Sequence, residues 1–380
     1  MSKASMTTEK GKLDWVQALR GIAALLVVLC HARDYLIGTE NFSFAESILL
    51  PGAMGVDLFF IISGFIMVYS TRNADGSITY AKEFLIKRFS RVWPTYTVIT
   101  ILWAVCVSGF AYFSNIDNLI IFLKSIFFVP VKEFAPLYFD PIIPIGWTLN
   151  FEIYFYAVFG LSLLFKKLRL VAMLCWIALT VIALPMATRD FSLNPFTYYT
   201  FTPNYLNLMT NPIILEFVAG ALIGHIYLND RAFIKSKTIA TNLILASVGL
   251  VIWYNYSGAG NLHGITKWGG SLSLMVLCLA ISSKNLLLKI PQPLIWLGKI
   301  SFSLYLTHYL TRFFLDGLMA KAGLSSFTHT WSFIAFSTVV CISVAGISQY
   351  WLEQKLSDAF KNILLNNKTA QKSPPATKAA

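Results

Sequence analysis

Apolar stretches of about 20 residues recur along most of this chain, each long enough to cross a hydrocarbon core about 30 Å thick. In such a core every backbone N–H and C=O must be satisfied within the segment, so uninterrupted runs of this kind have to be helices. Composition agrees: 56% of the 380 residues are hydrophobic and 13% are charged, where a soluble domain carries about 25%. Mean hydropathy is +0.64. The expected fold is an all-α, polytopic membrane helical bundle with about ten transmembrane helices. They are placed at 14–36, 50–70, 91–111, 145–165, 169–187, 211–228, 238–256, 265–282, 297–319 and 331–352.

The first run follows a polar, lysine-bearing N-terminus and has no small-residue cleavage site, so it reads as a retained span. "NLIIFLKSIFFV" (118–129) is too short to cross and is followed by Pro130, Pro136, Pro141 and Pro144. It suits a re-entrant or surface-lying helix within a long loop. The organisation expected is a cytoplasmic N-terminus (1–13), one transmembrane domain (14–352) and a largely disordered cytoplasmic tail (353–380). The formal charge of +12 does not indicate a nucleic-acid partner, because Lys and Arg concentrate in the N-terminus, the even-numbered loops and the tail. By the positive-inside rule both termini are then cytoplasmic, which an even number of spans satisfies. The five cysteines each fall within a span and form no C-x-x-C, so neither a disulfide framework nor a metal site is indicated. Cys30 adjoins His31, but neighbours on a helix point about 100° apart, and its thiol reads as a core-filling group.

"LRGIAALLVVLCHA" (19–32) holds the most informative pair. Arg20 and His31 are close to three full turns apart, on one face of the first span and separated by about 16 Å along its axis. Two readings stand. The arginine snorkels and the histidine bonds a neighbouring helix, or the two line a polar tunnel, a cation near its inner mouth and a base near its outer mouth. Other polar residues fall where a tunnel needs them. "GVDLFFIISGF" (55–65) places Asp57 in the outer half of span two, and "GWTLNFEIYFY" (146–156) places Glu152 within about two turns of the outer surface. Either carboxylate could orient and charge-stabilise a His31 base. In "GKISFSLYLTH" (298–308) and beyond, Tyr305, His308 and Arg312 share a face, with Asp316 one turn further as a possible partner of Arg312. "KRFSRVWP" (87–94) puts Lys87, Arg88 and Arg91 at the cytoplasmic surface, as a phosphate site or as an anchor for anionic lipids.

Taken in this order, these segments resemble the acyltransferase-3 family of integral membrane acyltransferases, over about residues 14–352. Within it the chain is most similar to the stand-alone O-acetyltransferases of bacterial exopolysaccharide and surface-glycan synthesis. The resemblance implies ten core spans in the bacterial inner membrane, an acyl group taken from cytoplasmic acyl-CoA, and a glycan modified at the outer face. Acetyl-CoA or another short acyl-CoA would be a co-substrate, with no tightly bound cofactor. It further implies that Arg20 and His31 are the essential pair and that Arg88 and Arg91, with Lys87 beside them, serve CoA. Asp57 and Glu152 match the family's acidic positions, and the region of Tyr305 and His308 is placed near the donor. The chain departs from the pattern in reading "WTLNFE" where "WSL..E" is commoner and "YLTH" where "YLWH" is, which leaves the role of His308 open. No hydrolase-like domain follows the last span, so the chain is expected to complete its reaction unaided or with a separate partner.

On this reading the donor's phosphates stay at the cytoplasmic arginines while its pantetheine arm, on the order of 16 Å, reaches past Arg20 towards His31. His31 takes the proton of a glycan hydroxyl as it attacks the thioester; an acyl-histidine or acyl-serine intermediate is the open alternative. The rival class is a proton-coupled transporter or flippase, for which the same buried charges would serve, although no internal repeat is visible. The uncharged loop "FSLNPFTYYTFTPNY" (191–205) is either an interfacial aromatic belt or an acceptor platform built on Tyr198 and Tyr199.

Overall fold

The computed structural model describes residues 13–132, 138–188, 191–260 and 262–366, and every regular element among them is helical. Residues 1–12, Pro136 and the tail from 367 onwards, on which parts of the expectations above fall, lie outside the described residues. In chain order the principal helices are α1 (Asp14–Ala32), α2 (Gly55–Ser70), α3 (Ile78–Ser108), α4 (Ile116–Ile126), α5 (Trp147–Ser162), α6 (Arg169–Ile177), α7 (Ile214–Leu228), α8 (Lys237–Tyr256), α9 (Trp268–Ser282), α10 (Gln292–Lys299), α11 (Ser301–Lys321), α12 (Trp331–Ser348) and α13 (Ser357–Asn366).

Six helical stretches are long and apolar enough to cross a membrane, and α7 and α9 are shorter apolar helices. One of the six, Pro144–Thr188, is broken at Lys166, whose φ of 52° is non-helical, so the chain turns there between α5 and α6. The molecule is therefore a polytopic helical bundle of the membrane type. Its periphery supports this: Leu245 is 65% exposed, Trp253 66% and Val339 62%, an apolar exterior that water would not tolerate over so many helices.

Polar caps mark where helices leave the apolar zone. The Ser77 side chain accepts from Tyr80 N–H, Asn115 from Asp117 N–H and Thr330 from Phe333 N–H. Three boundaries differ from expectation. Helix α3 begins at Ile78, thirteen residues before the expected 91, so Lys87, Arg88 and Arg91, expected on one helical face just before the span, lie within its continuous helix. Span nine divides at Ile300 into α10 and α11. The expected disordered tail needs correction over 353–366: after α12 a π-helical segment, Gln349–Leu356, carries the chain into α13, which packs along α3 with Phe360 against Trp93 (5.2 Å between ring centroids). That ring, with Leu356, Ile363, Leu364 and Leu365, gives the segment an apolar side despite its charges.

Two close crossings position the site. A Cβ added at Gly64 of α2 would stand 2.0 Å from Phe217 O of α7, and one at Gly220 of α7 would stand 1.8 Å from Ile61 O of α2. The two backbones touch, as small residues allow between membrane helices. Likewise Gly298 of α10 lies against Gln17 O of α1. Beside the first crossing, Phe60, Phe217 and Phe155 stack at 4.4 and 4.7 Å and fill the bundle centre.

Candidate active site

Two cavities enter the bundle from opposite ends and meet back to back. The first is narrow, about 70 Å³, and basic: Arg20, Arg88 and Arg91 line it together with Ser63, Glu152 and Tyr156. Arg88 and Arg91 also line a surface groove that includes Lys87, so the two guanidiniums stand between the groove and the cavity. Each cation is oriented. Arg88 donates to Ser70 Oγ (2.9 Å) and faces the Tyr156 ring at 5.7 Å, Arg20 donates to Gln17 Oε1 (3.5 Å), and Lys87 pairs with Glu83 (3.0 Å) on the exposed side. Glu152 accepts from Ser63 Oγ (3.2 Å) and from the Tyr156 hydroxyl. Glu353 adds a second carboxylate: it accepts from Ser303 Oγ at 3.0 Å and stands 3.9 Å from Arg91. Sequence reasoning missed Glu353 because it lies in the stretch read as tail.

The second cavity is wide, about 630 Å³, and lined by His31, Tyr138, Trp147, His263 and Tyr309 among others. Val56 and Tyr305 line both cavities. Tyr305 is pinned there, its hydroxyl 2.9 Å from Thr148 Oγ1 and 3.0 Å from Ile145 O. The ring is thus the partition between the two spaces.

His31 has a defined tautomer. Its Nδ1 lies 2.9 Å from Val27 O, and a carbonyl only accepts, so Nδ1 carries the hydrogen and Nε2 holds the lone pair. His308 is completely buried behind it; its Nδ1 donates to Tyr305 O (2.6 Å) and its Nε2 stands 3.3 Å from His31 Nδ1. His308 therefore buttresses His31 and does not line the basic cavity, as its expected placement near the donor would require. Arg312 sits 4.4 Å over the Tyr35 ring and 4.0 Å from Asp34, so its ion pair is with Asp34 and not with the expected Asp316.

Neither expected carboxylate reaches His31. Glu152 is on the far side of the partition: Ile145, just before α5, and Thr148, in its first turn, already bond Tyr305, and Glu152 lies one turn deeper. Asp57 turns away because its neighbour Val56 is the residue that faces the cavities. Wholly buried, it accepts from His263 Nδ1 at 2.7 Å and from Gly264 N–H at 3.0 Å; Glu216 shares the latter donor at 3.1 Å. His263 is a second residue the sequence did not disclose, since it lies in a loop 206 residues from the carboxylate that holds it. Cys30, also in the wide cavity, donates to Leu50 O at 3.6 Å. In the loop 191–205, Tyr199 is buried and its hydroxyl accepts from Ser192 N–H, whereas Phe196 packs on Tyr138 (6.0 Å). Burial, with Asp57 nearby, pushes the Tyr138 phenol above its ordinary pKa and keeps it a neutral donor.

The chain matches the model of the acyltransferase domain (Acyl_transf_3) over residues 13–348. It belongs to the acyltransferase-3 family. The acyltransferase is 31% identical over 309 residues to the exopolysaccharide production protein ExoZ of Rhizobium meliloti, covering 80% of this chain and 89% of that protein. It is 24% identical to the acyltransferase MdmB of Streptomyces mycarofaciens, covering 84% of each. It is also 25% identical to a Staphylococcus aureus protein provisionally named as an O-acetyltransferase, covering 81% of this acyltransferase and 52% of that longer protein. No solved structure matches it. The family match ends at 348, so Glu353 lies beyond it.

Proposed function

We propose that this acyltransferase moves an acyl group, with acetyl as the working case, from cytoplasmic acyl-CoA to a hydroxyl of a bacterial exopolysaccharide or surface glycan. In this reading the bundle spans the inner membrane ten times, with both termini and the basic cavity on the cytoplasmic side and the His31 cavity facing out. The similarity to ExoZ and to the staphylococcal protein supports the acceptor class and the acetyl group. The observation that carries the mechanism is the shared Tyr305 partition between a basic cavity and a histidine cavity.

The arginines are where an anionic donor headgroup binds: Arg88 and Arg91 bridge groove and cavity, and planar guanidiniums suit phosphate oxygens. The basic cavity, about 70 Å³, is the smaller of the two, and the histidine cavity, about 630 Å³, has the room for a sugar ring. At the partition the acceptor hydroxyl gives its proton to His31 Nε2 as its oxygen attacks the thioester carbonyl. The C–S bond then breaks, and the proton passes from His31 to the departing sulfur, leaving an ester and CoA–SH. His308 and Val27 hold the imidazole in the tautomer this requires. The test is to supply purified protein in lipid nanodiscs with labelled acetyl-CoA and de-O-acylated oligosaccharide. CoA release with label in the sugar is expected; label crossing a vesicle membrane without CoA release would instead indicate transport.

A further inference from the structure

Away from His31, the wide cavity has a second wall that the transfer step leaves without a task. Tyr138, Trp147 and His263 line it, and Phe196 backs it. The Tyr138 and Trp147 rings meet edge to face at 5.2 Å, Trp147 and His263 at 5.5 Å, and Phe196 lies 6.5 Å from His263. These four rings come from the loop before α5, the first residue of α5, the loop 191–205 and the loop before α9, and they converge on one place.

His263 is held as firmly as His31, by a different device. The Asp57 carboxylate can only accept, so the 2.7 Å contact fixes a hydrogen on Nδ1, and in the neutral imidazole Nε2 then holds the lone pair. Nδ1 points at a carboxylate buried in the bundle, so Nε2, across the ring, is the atom available to the cavity that His263 lines. A carboxylate buried behind an imidazole is costly, and an apolar pair would fill the same space more cheaply. Flat rings around one fixed hydrogen-bond acceptor, with the neutral Tyr138 hydroxyl as donor, match the surface of a pyranose: C–H faces for the rings and hydroxyls for the polar atoms.

We infer that this wall is the acceptor subsite, taking one pyranose ring of the glycan against Tyr138 and Trp147, which Phe196 backs, with a sugar hydroxyl donating to His263 Nε2. The inference rests on the proposed transfer and gives His263 a positioning role distinct from the base. It also moves the aromatic platform from Tyr198 and Tyr199 to Tyr138 and Trp147, with Phe196 behind them.

The test uses the full chain in nanodiscs and oligosaccharides cut from the producing strain's own exopolysaccharide and de-O-acylated with mild alkali. His263→Ala and Phe196→Ala should each raise the acceptor KM about three- to tenfold, the loss of one hydrogen bond or of the ring that holds Tyr138 in place. The acetyl-CoA KM should stay unchanged, and kcat at saturating acceptor should stay within about twofold. Asp57→Asn, which frees the His263 tautomer, should shift acceptor KM in the same direction. Unchanged acceptor KM in both alanine variants would overturn the subsite, and a kcat loss of about 100-fold in His263→Ala would make it a base instead. Equilibrium binding of the same oligosaccharides without acetyl-CoA separates the two proposals. Binding to the parent that is weakened in Phe196→Ala, a partly exposed position, supports the subsite even if no CoA is ever released, whereas CoA-dependent transfer with undiminished sugar binding sinks the subsite alone.

Discussion

At the scale of single residues, His31→Ala should lower kcat by about 100-fold or more, the usual contribution of a positioned base, while leaving acetyl-CoA binding intact. Transfer at the parental rate by a well-folded variant would remove His31 from the chemistry. His308→Ala tests the buttress: it leaves His31 in the cavity but strips the 3.3 Å contact behind it, so kcat should fall less than in His31→Ala and acceptor KM should hold. Arg88→Ala and Arg91→Ala should each weaken donor binding about tenfold or more, since charge-assisted hydrogen bonds are worth roughly 1.5–3 kcal/mol; titration calorimetry with CoA reads this directly. The positions of Arg20, His31, Arg88 and Arg91 were legible because they share a helix face or interrupt an apolar run. The partners of Asp57 and Glu152 were not. Depth counted along one helix cannot say on which side of Tyr305 a side chain falls, and Asp57 meets a loop histidine that only the folded chain brings near.

At the scale of helices, the α2–α7 crossing makes a sharp demand. Gly220→Ala places a methyl 1.8 Å from a backbone oxygen, so the two helices must part, at a cost of roughly 1–3 kcal/mol and a lower melting temperature in detergent. Gly249→Ala in α8 has open space around its added methyl and should be neutral or slightly stabilising, by up to about 1 kcal/mol. A Gly220→Ala variant as stable as Gly249→Ala would mean that the crossing does not limit stability. Because Ser63 and Asp57 ride on α2, the Gly220 variant should also perturb activity beyond its loss of folded protein. The helices themselves were readable as apolar stretches. The extension of α3 back to Ile78 and the continuation past 352 through a π-helical segment were not, because both run through charged sequence whose helicity is stabilised by neighbours such as Phe360 on Trp93.

At the scale of the whole molecule, the proposed orientation makes the substrates enter from opposite sides. In sealed vesicles, acetyl-CoA should support transfer only when presented to the face bearing Arg88 and Arg91, and oligosaccharide only from the other; donor active from the His31 side would reverse the topology. The all-helical membrane architecture was visible in the sequence, whereas the meeting of two cavities at one ring was not, since it depends on how α2, α5 and α11 pack. That ring has an electrical consequence. With cavities approaching from both ends, Tyr305 and Val56 would, in the proposed orientation, separate two compartments held at different voltages and proton concentrations. A transmembrane reaction centre built this way acts as a closed circuit element, insulating at its midpoint, and Tyr305→Gly should turn it into a conductor whose leak is measurable as faster decay of a pH gradient across proteoliposomes.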